Sequence, residues 1–125
     1  MQKYLRIGVG GFAGAMARYW AGTMVTQRIG LRLPFGTFVV NVTGCFLIGF
    51  FMYLLAERGV LSTQWLYVIV IGFIGAYTTF STFEYEAIRE LQDGQFGMAM
   101  LYMGGSVLVG FAMVWLGSRF ARLLA

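Results

Sequence analysis

The chain contains no histidine, one cysteine and one proline among its 125 residues, and charged residues make up only 11% of it. Without histidine, a histidine-based catalytic or metal centre is excluded. The single cysteine, Cys45, cannot form an intrachain disulfide, and its place in an apolar segment is typical of a small packing residue. These absences point away from an enzyme and leave hydrophobic residues, 59% of the chain, as its dominant feature.

Four apolar segments account for this excess of hydrophobic residues. They fall at about 4–26, 34–56, 64–89 and 96–118, and each is long enough for a helix to cross a hydrocarbon core of about 30 Å. The connectors between them are short and polar, and nothing remains for an extramembrane domain. The sequence therefore predicts an all-α membrane protein with a single four-helix transmembrane domain over residues 1–125.

The net charge of +4 is distributed over the connectors and both ends, which is typical of membrane anchoring rather than of nucleic-acid binding. Four spans place both termini on one side, with five basic residues there and three on the other side: Lys3, Arg6, Arg58, Arg119 and Arg122 against Arg28, Arg32 and Arg89. This small bias leaves two interpretations open. The chain has a single topology, or it inserts in both orientations and pairs antiparallel.

Four short helices leave no room for an aqueous path within one chain, so transport would require an oligomer, most simply a two-fold dimer. Small residues favour close helix contacts in membranes. Gly10 and Gly14 form a GxxxG pair in the first span, and Gly44 and Gly49 lie in the second.

The third span contains a polar run, GAYTTFSTF at 75–83, close to its midpoint at Ala76-Tyr77. Gly72 and Gly75 are expected to loosen the helix just before the hydroxyl residues. A break at membrane depth is tolerated only where protein or water surrounds it, and such breaks often hold ions. Free carbonyls of the first half favour a cation, whereas the N-terminus of the second half favours an anion. Composition and spacing alone therefore predict an intramembrane ion site.

Other polar residues in the spans have both a structural and a functional interpretation. Arg18 either extends to the interface or lines a vestibule that attracts anions. Asn41, one turn after Thr37, either forms an interhelical hydrogen bond or offers amide donors to a desolvated anion. Tyr102 and Ser106 stand one turn apart and either bond their own helix or form a track of donors.

Three motifs in this order and spacing identify a resemblance: GFAGAMARY at 11–19, GTFVVNVTG at 36–44 and GFIGAYTTFSTF at 72–83. The chain resembles the Fluc (CrcB) fluoride channels over essentially its whole length. The resemblance implies an antiparallel, dual-topology homodimer in the cytoplasmic membrane of a prokaryote. Its two pores would export fluoride passively and relieve fluoride toxicity. A structural, non-transported Na⁺ is expected at the dimer axis, held by the backbone carbonyls of Gly75 and Thr78 of each chain.

The resemblance also implies the residues of the fluoride path. Phe80 and Phe83 would line the pore with partially positive ring edges, and Asn41 would supply a donor. The other residues expected along the path are Thr37, Ser81, Thr82, Glu86, Tyr102 and Ser106, with Arg18 near the vestibule. Gly110 stands where some relatives have a further hydroxyl, which departs from the family pattern.

Two other classes of function compete with the channel. A small multidrug-type exporter also has four helices and often dual topology, but it requires a membrane-embedded carboxylate, characteristically in the first span. No acidic residue precedes Glu57. A structural or assembly subunit would have no transport of its own, and it would tolerate loss of the Phe80 and Phe83 rings.

Overall fold

The computed structural model describes residues 1–30 and 33–125, which are helical almost throughout. Helix α1 is Gln2–Ile29 and helix α2 is Phe35–Glu57. The third predicted span consists of two helices, α3 at residues 63–77 and α4 at Phe80–Gln92. Helix α5 is Phe96–Leu124. Each predicted apolar segment is thus helical, and the helices continue into the polar residues at several ends.

Glycine ends two of these helices. Gly30 has a φ of +62°, and its N–H donates to the Thr26 carbonyl at 3.1 Å, which closes the last turn of α1. Gly94 has a φ of +76° between α4 and α5. A left-handed residue at a helix end satisfies carbonyls that the helix leaves free, and glycine adopts this conformation without a steric penalty.

Two stretches of the bundle have wider, π-helical turns. The last turn of α2, Tyr53–Glu57, is closed by the Arg58 N–H, which donates to the Tyr53 carbonyl at 3.0 Å. Most of α3, Leu66–Ile74, is π-helical as well. Such turns are uncommon and often accompany functional sites. Here the longer stretch leads directly into the break of the third span.

Helices of the same direction pack in pairs. Gly10 and Gly14 of α1 lie against the backbone of α3, at Val68 and Phe73, and α1 and α3 run parallel. A Cβ on Gly72 would in turn meet the Gly10 Cα at 3.0 Å. The glycines of the first span therefore pack α1 on α3 within one chain.

Helices α2 and α5 form the second parallel pair. Gly49 of α2 meets the backbone of Val114, and Gly117 of α5 meets the backbone of Phe46. At the far end, Arg122 and Glu57 lie 4.0 Å apart, and the Arg58 guanidinium donates to the Ala125 carbonyl at 3.1 Å. This register brings the last turns of α2 and α5 together on the side that holds the C-terminus.

Three helical segments of the described residues are long and apolar enough to span a membrane: Phe35–Glu57, Thr63–Gln92 and Phe96–Leu124. These segments make the chain a helical membrane protein. Helix α1 has 28 residues, long enough for about 42 Å. It is not among the three segments, and its sequence is rich in glycine and carries Arg18.

Candidate functional site

The third span is broken at two threonines. Helix α3 ends at Tyr77, α4 begins at Phe80, and the residues between them are extended. Thr78 has φ −84° and ψ 156°, and Thr79 has φ −147° and ψ 120°. The break therefore lies just after the predicted midpoint of the span.

The glycines expected to loosen the helix lie within α3 instead. Gly72 and Gly75 both have helical neighbours on either side. The role of Gly72 is packing, because α1 approaches it too closely for a side chain. That glycine loosens the helix before the hydroxyl residues stays a prediction, and the wide π-helical turns of α3 do include Gly72. The extended residues are threonines, whose β-branched side chains suit that conformation.

Each edge of the break is closed by local hydrogen bonds. The Thr78 N–H donates to the Ile74 carbonyl at 3.1 Å and completes the last turn of α3. The Thr78 hydroxyl donates to the same carbonyl at 3.0 Å. On the other side, the Thr82 N–H donates to Thr79 Oγ1 at 3.3 Å, so Thr79 is the N-cap of α4.

Asn41 of α2 fills the gap between these two edges. The Thr79 N–H donates to Asn41 Oδ1 at 2.8 Å, and Asn41 Nδ2 donates to the Thr79 carbonyl at 2.9 Å. One amide side chain thus satisfies both backbone groups of an extended residue. Asn41 thus forms the interhelical hydrogen bonds that the sequence offered as one of its two interpretations. The second N–H of its amide takes no part in these two bonds.

These bonds free the carbonyls of Gly75 and Thr78. In an uninterrupted helix the Gly75 carbonyl would accept from the Thr79 N–H, and the Thr78 carbonyl would accept from the Thr82 N–H. Asn41 takes the first N–H and the Thr79 side chain takes the second. The two carbonyls expected to hold a cation are therefore among the four, at residues 75–78, that lose their helical donors at the break.

Gly44 brings α2 next to the break. A Cβ on Gly44 would collide with Cγ2 of Thr78 and would lie 3.4 Å from Cδ1 of Tyr77. At the preceding residue, Thr43 Oγ1 and the Tyr77 hydroxyl are 2.9 Å apart. The end of α3 is therefore held on α2 by close packing and by one hydrogen bond between hydroxyls.

Glu86 accepts hydrogen bonds from two other residues that the resemblance places on the fluoride path. The Thr37 hydroxyl donates to Glu86 Oε1 at 2.7 Å, and the Tyr102 hydroxyl donates to Oε2 at 2.8 Å. These bonds connect α2, α4 and α5 at a half-buried carboxylate. In this arrangement both hydroxyl protons point to the carboxylate, so both hydroxyls offer other groups only their lone pairs.

A row of aromatic rings lies beside this network. The ring centroids of Phe80 and Phe83 are 6.0 Å apart, and those of Phe83 and Tyr102 are 5.0 Å apart. Phe83 is buried, with 7% of its surface exposed, against Ala87 and Tyr102. Phe80 is 74% exposed. The two phenylalanines share a face of α4 as predicted, but within one chain only Phe83 is covered.

The hydroxyl of Ser106 continues the row along α5. It is buried, and it has no hydrogen-bond partner among the described residues. One turn further, a Cβ on Gly110 would lie 3.2 Å from the sulfur of Cys45. Space for a longer side chain at this position is therefore small, and the buried hydroxyl of Ser106 is the last one on this face.

Arg18 lies in an open cleft between α1, α2 and the break. The cleft has a volume of about 420 Å³ and is lined by Arg18, Thr37, Thr79 and Thr82, among others. Ser81 and Thr82 are exposed. Arg18 thus shares this cleft with five threonines, and the vestibule interpretation of Arg18 stays a prediction.

A comparison with protein families matches residues 5–118 to the family described as CrcB-like protein, Camphor Resistance (CrcB). The chain belongs to the CrcB family. Relatives named fluoride-specific ion channel FluC support this assignment. The protein of Acidobacterium capsulatum is 54% identical over 92% of both chains. That of Solibacter usitatus is 48% identical over 96% of this chain and 98% of its own.

The resemblance seen in the three motifs is therefore confirmed, and the CrcB family is one of channels rather than enzymes. No group of three or more His, Cys, Asp or Glu side chains in the described part of the chain could hold a metal ion.

Sequence reasoning missed two residues of this site, Thr79 and Thr43. Thr79 lies in the polar run, and a threonine three residues before the capped N–H of Thr82 is the spacing of a helix N-cap. That signal was available in the sequence. The contact of Thr43 with Tyr77 joins residues 34 positions apart, and no local pattern indicates it.

Proposed function

We propose that this protein is a passive, selective fluoride channel. The observation that supports it best is the break at Thr78 and Thr79. It places amide, hydroxyl and aromatic groups side by side within an apolar helix bundle. A small, strongly hydrated anion needs several such donors in place of water, and uncharged donors bind it weakly enough to let it leave. The names of the relatives add the identity of the ion.

The working unit is proposed to be an antiparallel homodimer with two pores and a dual-topology chain, in the cytoplasmic membrane of a prokaryote. In this proposal α1 also crosses the membrane, in addition to the three apolar segments. Its length and its packing on α3 support this. The exposure of Phe80 supports a second chain in the assembly, because this large ring lies beside the polar break and is 74% exposed in a single chain. Fluoride leaving through these pores would relieve its toxicity to the cell.

Within each pore, the fluoride path is proposed to run from the cleft of Arg18 past the break and along α5. Asn41 would contribute its second N–H, and the edges of Phe80 and Phe83 would meet the ion. Ser81, Thr82 and Ser106 would offer hydroxyl donors along the path. Thr37 and Tyr102 would line it with their hydroxyl protons held by Glu86. The unpartnered hydroxyl of Ser106 supports this, because a buried donor without a partner is free to bind an ion.

A structural Na⁺ is proposed at the dimer axis. The carbonyls of Gly75 and Thr78 fit it, since both lack their helical donors, and two chains would supply four oxygens. A cation held there would offset the partial negative charge at the end of α3 and join the two chains.

The function is tested by efflux from liposomes that contain the purified protein. We expect rapid release of fluoride, read with a fluoride electrode, and little release of chloride from matched vesicles. Protein-free liposomes give the background. Comparable chloride flux would contradict the proposal.

The aromatic part of the path is tested by Phe80→Ile and Phe83→Ile. We expect each change to lower the rate of fluoride release by roughly three- to tenfold, since it removes an edge contact of about 1 kcal/mol. Phe111→Ile is the matched control, because Phe111 is exposed on α5 outside the site. Unchanged flux in both site variants, with the oligomer intact, would remove these rings from the mechanism.

A further inference from the structure

The most consequential contacts at the break are side chains that take backbone N–H groups away from the helix. Thr79 donates its N–H to Asn41 at 2.8 Å, and Thr82 donates its N–H to the Thr79 hydroxyl oxygen at 3.3 Å. Asn41 and Thr79 are 38 residues apart, so the first bond depends on how α2 packs on the break. Neither side chain contributes a ligand oxygen to a cation in the proposed site.

We propose that Asn41 and Thr79 are positioning residues for the cation site. Asn41 keeps the Gly75 carbonyl free, and the Thr79 hydroxyl keeps the Thr78 carbonyl free. This inference rests on the proposed Na⁺ site. It adds that two side chains, rather than the threonine-rich backbone alone, determine whether that site exists.

The two side-chain oxygens, Asn41 Oδ1 and Thr79 Oγ1, compete with backbone carbonyls for the N–H groups of Thr79 and Thr82. An N–H at a helix break can return to the carbonyl four residues before it when the backbone closes that helical turn, and another acceptor that holds the N–H competes with this return. Asn41 offers an amide oxygen and also donates to the Thr79 carbonyl at 2.9 Å, so the extended backbone of Thr79 is satisfied on both sides. This pair of hydrogen bonds between Asn41 and Thr79, the Asn41 clamp, therefore removes the free-energy penalty that unpaired backbone groups would carry in a membrane.

The Asn41 side chain has two separate roles in this proposal. The oxygen of Asn41 and one of its N–H groups hold Thr79, and the other N–H is left for the permeation path. Loss of Asn41 is therefore expected to affect fluoride flux for two reasons. Fluoride flux alone therefore cannot test the Asn41 clamp. The test must measure Na⁺ binding at the cation site.

The experiment measures the Na⁺ concentration that gives half of the stabilisation of the purified protein. Thermal unfolding is followed in NaCl against N-methyl-D-glucamine chloride at constant ionic strength, since a ligand of the folded state raises the unfolding temperature. Thr79→Val keeps the side-chain shape and removes the capturing oxygen. Asn41→Leu removes both bonds to Thr79. We expect each to raise the half-maximal Na⁺ concentration by about 10- to 100-fold, as for other residues that support a metal site from outside its ligands.

Two further variants make the result specific. Thr79→Ser retains a hydroxyl and should keep the Na⁺ concentration close to that of the unmodified protein. Thr26→Val removes a hydroxyl that, among residues 1–30 and 33–125, donates to the Gly22 carbonyl of its own helix at 2.9 Å, and it should also leave the Na⁺ concentration unchanged. A shift in Thr79→Ser or Thr26→Val equal to that of Thr79→Val would overturn the assignment.

Failure of this inference and failure of the channel proposal are distinguishable. If the unmodified protein conducts fluoride and Thr79→Val and Asn41→Leu share its Na⁺ dependence, the clamp is contradicted and the channel stands. If the unmodified protein shows no stabilisation by Na⁺, the clamp and the cation site both fail. If it is stabilised by Na⁺ but releases no fluoride, the channel proposal fails and the clamp is judged on the Na⁺ data.

Discussion

Gly14→Ala is expected to lower the free energy of unfolding by about 2–3 kcal/mol and to abolish most fluoride flux. The added Cβ would collide with the carbonyl of Phe73 and lie about 3 Å from its carbonyl carbon and Cα. These are backbone atoms, so no side-chain rotation relieves the contact, and α1 and α3 must move apart. Helix α3 carries the break, and its displacement moves the carbonyls and the Asn41 clamp together.

Gly8→Ala is the matched control for this change. Gly8 lies on the same helix, and a Cβ there would meet nothing within 4 Å. Alanine favours the helix over glycine, so Gly8→Ala should be neutral or stabilising by up to about 1 kcal/mol. Denaturant unfolding in detergent, followed by tryptophan fluorescence, measures both. Equal stability of the two variants would show that the contact of α1 with α3 contributes little.

Glu86→Leu is expected to cost about 2–4 kcal/mol of unfolding free energy, because two hydrogen bonds to a charged acceptor are lost. The lower part of this range reflects the partial exposure of Glu86. Thr37, on α2, and Tyr102, on α5, would lose their common partner. Fluoride flux should also fall, since the hydroxyls and the Phe83 ring beside them lose a fixed position.

Glu84→Leu is the control for hydrophobicity and charge, because Glu84 is exposed on the same helix. A double-mutant cycle of Glu86→Leu with Tyr102→Phe measures the coupling across the network. We expect a coupling energy of about 1 kcal/mol or more between the two residues. Additive effects would contradict a direct role of the carboxylate in holding Tyr102.

Much of the architecture follows from local properties of the sequence. The positions of the helices depend on apolar runs and helix length, which a window of about 20 residues contains. The break of the third span also follows from composition, because glycine and hydroxyl residues interrupt an apolar run there. Its cause did not follow. The extended residues are Thr78 and Thr79, and Gly72 also serves the contact with α1.

The candidate site was predicted as a set of residues, not as a set of partners. The resemblance implied Asn41, Glu86 and Tyr102 for the fluoride path. In the structure, Asn41 bonds the backbone of Thr79, and Glu86 accepts from Tyr102 and Thr37. A polar side chain in an apolar span signals that a partner exists. It does not indicate whether that partner is an ion or another part of the chain.

The sequence by itself determined that this is a helical membrane protein without a histidine centre, with a polar break in its third apolar segment and no acidic residue before Glu57. The tertiary structure decided which backbone groups the break leaves free. That choice depends on Asn41 reaching Thr79 across 38 residues and on Gly44 letting α2 come close enough. Such contacts arise only when helices pack, because the competing bond within the helix is always available locally.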